Sequence, residues 1–244
     1  MIELPAPWLL LGVFAVAVLY SAVGHAGASG YIAVMTLAGI APTEIRPTAL
    51  AINILVASLT SWRFVSAGHV DWRLVALCAI PAVPAAFLGG RLGLPLTALK
   101  ITLGVILLLS AANLLRTARQ EPAVRRAPVP AATAVGGTIG LLSGLTGTGG
   151  GIFLTPVLIG TGWAPTHVAA GVSALFILCN SIAGLAGTLS TRPALPAIVG
   201  PMLLVAMAGA ALGSTLGSRR FSVPALRRVL AAVLCIAGLK LLTT

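Results

Sequence analysis

Eight residues, Gly144-Leu145-Thr146-Gly147-Thr148-Gly149-Gly150-Gly151, stand inside a long apolar run. Their types suit one chemistry. Backbone N–H groups freed by glycine, flanked by the hydroxyls of Thr146 and Thr148, can surround an oxyanion without a buried cation. A second cluster, Gly24-His25-Ala26-Gly27-Ala28-Ser29-Gly30, lies 120 positions earlier. It offers the hydroxyl of Ser29 and an imidazole at His25, whose reference pKa of about 6.5 allows proton linkage. Asn53 and Asn180 fall in the apolar runs that follow each cluster. The candidate anion-binding set is therefore Gly24, His25, Gly27, Ser29, Gly30 and Asn53 from the first half, with Thr146, Gly147, Thr148, Gly149, Gly150 and Asn180 from the second.

Each group also has a plainer role. Glycines permit close helix packing, as in small-xxx-small interfaces. Hydroxyls near a broken helix cap freed backbone groups, an asparagine in a span can pair with a neighbouring helix, and a neutral histidine can bond a carbonyl. Elsewhere the sequence is bare of chemistry. Glu3, Glu44, Asp71 and Glu121 all fall in loops or at the terminus, leaving no carboxylate in a span to relay protons or sodium. No metal-ligand spacing, catalytic triad or cofactor motif is present, and the 144–151 stretch lacks the Gly-Lys-Ser/Thr ending of a nucleotide phosphate loop.

The elements that must position these groups follow from composition. Of 244 residues, 58% are hydrophobic and 8% charged, against the quarter to a third of charge that a soluble surface carries. This is an all-α polytopic membrane protein. The net charge of +11 sits at the ends of apolar runs, where lipid headgroups and topology explain it, and no basic cluster has the aromatic interleaving of a nucleic-acid surface. Cys78, Cys179 and Cys235 are isolated in apolar runs and read as packing residues. Glu3 and Pro5 open the chain in place of a basic region, so the first apolar run is expected to be a retained helix and not a signal peptide.

Glycine disfavours helix by about 1 kcal/mol per position relative to alanine, and unpaired backbone in lipid is worse still. Each cluster is thus expected to break a helix where the backbone lines a protected polar space. The first half reads as a run over 8–23, the break, a short run over 31–40, and spans near 47–65, 72–90 and 97–115. The second reads as 131–143, the break, a short run over 152–161, and spans near 168–189, 198–216 and 225–242. Ten-residue runs are too short for a core that needs about 20. Ala41-Pro42-Thr43 recurs as Ala164-Pro165-Thr166, Leu88-Gly89 as Leu212-Gly213, and Ala98-Leu99-Lys100 as Ala225-Leu226-Arg227. The domains are a first membrane repeat over 1–115, a charged linker over 116–130 and a second membrane repeat over 131–244.

Basic residues decide the relative orientation. If each half opens with a re-entrant hairpin followed by three spanning helices, Arg63, Arg73, Arg116, Arg119, Arg125, Arg126, Arg219, Arg220, Arg227 and Arg228 share one face. Arg46, Arg91, Lys100, Arg192 and Lys240 take the other, a split of 10 to 5, whereas reading each hairpin as a single span gives 8 to 7. The positive-inside rule selects the first arrangement: two inverted-topology repeats, a cytoplasmic linker and periplasmic termini in the cell inner membrane.

The paired glycine motifs, with the turn and small-polar helix after each (Ala41-Pro42-Thr43 to Ser58, Ala164-Pro165-Thr166 to Ser181), resemble the TauE/SafE group of sulfite-exporter-like membrane proteins from about residue 10 onward. The second motif fits that pattern closely; the first departs from it at His25, Ala26, Ala28 and Ser29. The resemblance implies export of sulfite or a small organosulfonate. The expected partners are therefore that small anion and membrane lipid, with no nucleic acid, and a homodimer is among the assemblies the sequence allows. An anion channel, an uptake carrier, an intramembrane enzyme and a non-transporting scaffold are the competing readings; the enzyme would need a carboxylate partner for His25 that the spans lack.

Overall fold

A computed structural model of the chain describes residues 6–22, 26–92, 95–117, 123–191 and 193–219, with residues 228, 231–232, 235–236, 238–239 and 242–243 beyond. Helices α1 (Pro7–Ala22), α2 (Ala28–Leu37), α3 (Pro42–Ser66), α4 (Trp72–Leu92) and α5 (Leu96–Thr117) form the first half. Helices α6 (Val129–Thr146), α7 (Gly151–Gly160), α8 (Thr166–Leu189) and α9 (Val199–Arg219) follow. No strand occurs among the described residues. The run expected over 225–242 lies mostly outside them, as do Gly24, His25 and residues 118–122 of the connector. Helix α5 extends through residues 116–117 of that connector, and α6 takes up 129–130.

The breaks fall where glycine predicts them. Helix α1 ends before the first cluster, and α2 is only ten residues, about 15 Å at 1.5 Å per residue, half a hydrocarbon core. Helix α7, also ten residues, repeats this after the second cluster. One boundary differs from expectation. Helix α2 starts at Ala28, so Ala28, Ser29 and Gly30 belong to its first turn and not to the break. Among the described residues Gly27, left-handed at φ 91°, immediately precedes that turn, and small residues are tolerated in an opening turn. Helix α3 likewise starts earlier than the sequence suggests, because Pro42 sits in its first turn, where the missing N–H costs nothing, and Glu44 complements the helix dipole there.

Four described helices, Thr43–Ser66, Trp72–Leu92, Val129–Thr146 and Thr166–Leu189, are long and apolar enough to cross a membrane. The distribution of side chains agrees. Ile80 and Leu204 are 72% and 76% exposed, while Asn53, Thr146, Ser173 and Asn180 are fully buried. Trp8, Trp62 and Trp72, near helix ends, are also exposed, as expected of tryptophans at the headgroup level. The protein is a multi-pass membrane protein with a set of polar side chains buried inside it.

Packing between the halves sets the rest. Gly136, Gly140 and Gly144 of α6 lie against the backbone of Cys78, Ala82 and Ala86 of α4, two parallel ridges in step at four-residue intervals. Gly209 and Gly213 of α9 lie in the same way against the carbonyls of Phe14 and Val18 of α1. In both places the absent side chain lets backbones approach closely, the commonest adhesive between helices in lipid. The first helix of each half thus packs in parallel on the fourth helix of the other. Helices α3 and α8 cross in the opposite sense: Leu50 meets Gly184, Asn53 meets Ser181, and His69 just beyond α3 meets Gly171.

Candidate functional site

Three left-handed glycines build the second break. Gly147 closes α6 at φ 80°, Gly149 follows at φ 73°, and Gly150 opens α7 at φ 84°. A side chain is strained at such angles. Space excludes one as well: a methyl on Gly149 would fall 2.5 Å from Asn53 Nδ2 and 2.9 Å from Ser181 Oγ. On Gly150 it would fall 2.8 Å from the Phe176 ring and 3.3 Å from Asn180 Nδ2. Helix N-caps usually take extended backbone and a side-chain oxygen. Here neither Gly150 nor its counterpart Gly27, left-handed at φ 91°, is helped by any side-chain cap. Phe153 N–H bonds the Gly150 carbonyl in the first turn of α7, and the helix dipole gives each short start a positive character.

The asparagines come to this turn from both halves. Asn53 Nδ2 donates to the Thr148 carbonyl at 3.3 Å and to Ser181 Oγ at 3.4 Å. Asn53 Oδ1 and both amide atoms of Asn180 are buried without a partner. Thr146 Oγ1 donates to the Leu142 carbonyl at 2.7 Å and shares a 2.9 Å hydrogen bond with Thr148 Oγ1. Thr146, Gly147, Thr148, Gly149, Gly150, Asn53 and Asn180 therefore lie together in one buried cluster, with Ser181 as an eighth member. Gly144, which opens the motif in sequence, belongs instead to the α4–α6 ridge, where packing alone accounts for it.

Arg46 is the residue that sequence reading overlooked. It was counted only as an edge charge, yet its side chain packs on Gly147: a methyl there would lie 2.8 Å from Arg46 Cγ. The guanidinium Nη2 donates to the Gly90 carbonyl at 2.8 Å, beside Thr188. The stem of Arg46 thus packs on the turn while its guanidinium is held at Gly90.

The first cluster is differently furnished. A methyl on Gly27 would fall 3.2 Å from the Tyr31 hydroxyl oxygen and from Tyr20 Cβ, and the Tyr20 ring also flanks Gly30. Tyr20 Oη and Ser29 Oγ share a hydrogen bond of 2.9 Å, and the Tyr31 hydroxyl is buried with no partner. Both tyrosines are fully buried. Ser29 is thus engaged within its own half. Among the described residues, no group of three or more His, Cys, Asp or Glu side chains could hold a metal.

At the end of the bundle that carries the α3–α4 turn, the rings of His69 and His167 stack with centroids 5.5 Å apart. Arg73 Nη2 donates to the Ala127 carbonyl at 3.3 Å, and the Arg125 N–H donates to the Gly162 carbonyl at 2.7 Å. The loops of both halves and the connector therefore meet at one end.

This architecture can be set beside known proteins. The family model described as "Sulfite exporter TauE/SafE" matches residues 9–241. A protein of Sinorhizobium fredii (strain NBRC 101917 / NGR234) described as "Probable membrane transporter protein y4hK" is 41% identical over 239 residues, covering 96% of this chain and 97% of that protein. The matched region takes in both glycine breaks, the α3–α8 crossing and the exchanged helix pairs. With that coverage, the chain belongs to the TauE/SafE sulfite exporter family of membrane transporters.

Proposed function

We propose that the protein exports a small anion, sulfite or an organosulfonate, across the cell inner membrane by alternating access. The observation that carries this is the buried Gly147–Gly151 turn, met by Asn53 of one half and by Asn180 and Ser181 of the other. An uncapped helix start, open amide groups and hydroxyls in a dry interior stabilise an oxyanion through fixed dipoles. The near-complete burial of the cluster fits the occluded stage of such a cycle.

Two repeats of inverted topology are part of this reading: 1–115 and 131–244, joined by a cytoplasmic linker over 116–130, with both termini periplasmic. Its support lies in the parallel pairs α1–α9 and α4–α6, exchanged between the halves, and in the antiparallel crossing of α3 and α8. Left-handed glycines at the starts of α2 and α7 occupy corresponding places. On this reading each short helix is the return arm of a re-entrant hairpin, bringing its positive end toward the midplane as in other inverted-repeat transporters.

The energetics follow from charge. Interior-negative potential favours anion exit by about 2.3 kcal/mol per charge per 100 mV, so export needs no coupled ion. Proteoliposomes loaded with labelled sulfite test the proposal. Efflux should rise when the potential is negative on the loaded side and fall when its sign is reversed; flux indifferent to the sign would refute electrogenic export.

A further inference from the structure

We infer that the anion held at the Gly147–Gly151 turn carries a hydrogen-bond donor of its own: it is a small oxyanion bearing an O–H group. The inference rests on reading that turn as the anion site, and it narrows the chemical class of the ligand.

The argument is an inventory of donors and acceptors. The Thr148 carbonyl can only accept, so the Asn53 amide must turn its nitrogen toward it, and the 3.3 Å hydrogen bond sets that orientation. Asn53 Oδ1 then faces away, buried and without a donor. Asn180, also fully buried and beside Gly150, has no partner on either amide atom. Whichever way its amide is turned, it presents one further acceptor. The turn therefore offers two unmet amide oxygens alongside its donors.

A fully deprotonated oxyanion offers acceptors only. Its oxygens can take the donors of the turn, but against Asn53 Oδ1 and an Asn180 oxygen they would place acceptor against acceptor in a dry interior. One O–H on the ligand resolves this. It donates to an amide oxygen while the remaining oxygens accept. Monoprotonated tetrahedral or pyramidal oxyanions and hydroxyl-bearing sulfonates share this chemistry, and buried polar groups discriminate strongly against a ligand that leaves them unmet.

Two ligand pairs, each matched in charge, test it. The full-length protein, purified in detergent at mildly alkaline pH, is titrated calorimetrically with sulfate against monohydrogen phosphate, equal in shape and charge and differing by one proton. It is then titrated with ethanesulfonate against 2-hydroxyethanesulfonate, with sulfite as reference ligand. The donor-bearing member of at least one pair should bind about tenfold or more tightly; the tetrahedral pair reports a proton on the oxyanion, the sulfonate pair a hydroxyl on its substituent. Asn180→Leu should reduce that preference toward parity. Binding of sulfite with equal or reversed affinity within both pairs would overturn the inference and leave the anion site standing. No binding by any of the five would overturn both.

Discussion

Asn53 of α3 and Ser181 of α8 meet at 3.4 Å where the two halves cross, and the Asn53 amide also holds the carbonyl of Thr148 in the second glycine turn. One side chain from the first half thereby fixes the backbone of the second half's break. Asn53→Leu keeps the volume and removes both bonds, leaving the Thr148 carbonyl unmet. It should lower stability by about 1–3 kcal/mol, seen as a drop in the thermal midpoint in detergent, and reduce anion flux at least tenfold. Unchanged flux would remove Asn53 from the site.

Glycines in this protein serve two ends that a matched pair of variants separates. Gly149→Ala combines a strained φ of 73° with a methyl 2.5 Å from Asn53 Nδ2, and should abolish transport and destabilise the fold. Gly137→Ala on α6 meets only Pro81 Cβ at 3.8 Å. Relief of helical glycine should there leave transport intact and add about 0.5–1 kcal/mol of stability. Thermal midpoints and flux of the two variants are compared side by side.

Arg46→Met retains an unbranched stem against Gly147 and removes the cation. Thr188 still reaches the Gly90 carbonyl at 3.4 Å, so the loss of stability should stay within about 1.5–3 kcal/mol, the worth of a hydrogen bond from a charged group. The KM for anion flux should rise several-fold, and its dependence on ionic strength should weaken. An unaltered KM would make Arg46 a packing residue only.

The tyrosines of the first half make opposite predictions. Tyr20→Phe deletes the bond to Ser29 and should lower stability by about 0.5–1.5 kcal/mol. Tyr31→Phe deletes a hydroxyl that is buried without a partner, so it should be neutral or stabilising. Thermal unfolding of the two single variants settles the contrast.

Much of this plan was legible in the sequence because its causes are local. Glycine clusters break helices wherever they fall, ten apolar residues cannot span a bilayer, and both short helices, α2 and α7, lie where those rules put them. Asn53 and Asn180 stood out because an amide in lipid needs a partner. What could not be read depends on how helices cross. Arg46 reaches Gly147 from the other half of the chain, and Gly144 serves the α4 ridge although it sits next to the turn in sequence. Tyr20 and Tyr31 line the first break because α1 and α2 fold back on each other, a relationship that no spacing rule encodes. Gly30 shows the limit at boundaries: expected within the break, it lies in the first turn of α2, which starts at Ala28 directly after the left-handed Gly27.

The central claim, an anion cradled at the Gly147–Gly151 turn, is tested most directly by locating one. Crystals soaked in selenite, measured at the selenium edge, should show an anomalous peak within about 4 Å of the Gly149 nitrogen, the reach of one N–H···O bond plus the oxyanion radius. Asn53 and Asn180 should flank it, and the peak should vanish in Gly149→Ala. A peak confined to the arginines at the loop end, or one that survives Gly149→Ala in place, would contradict the account.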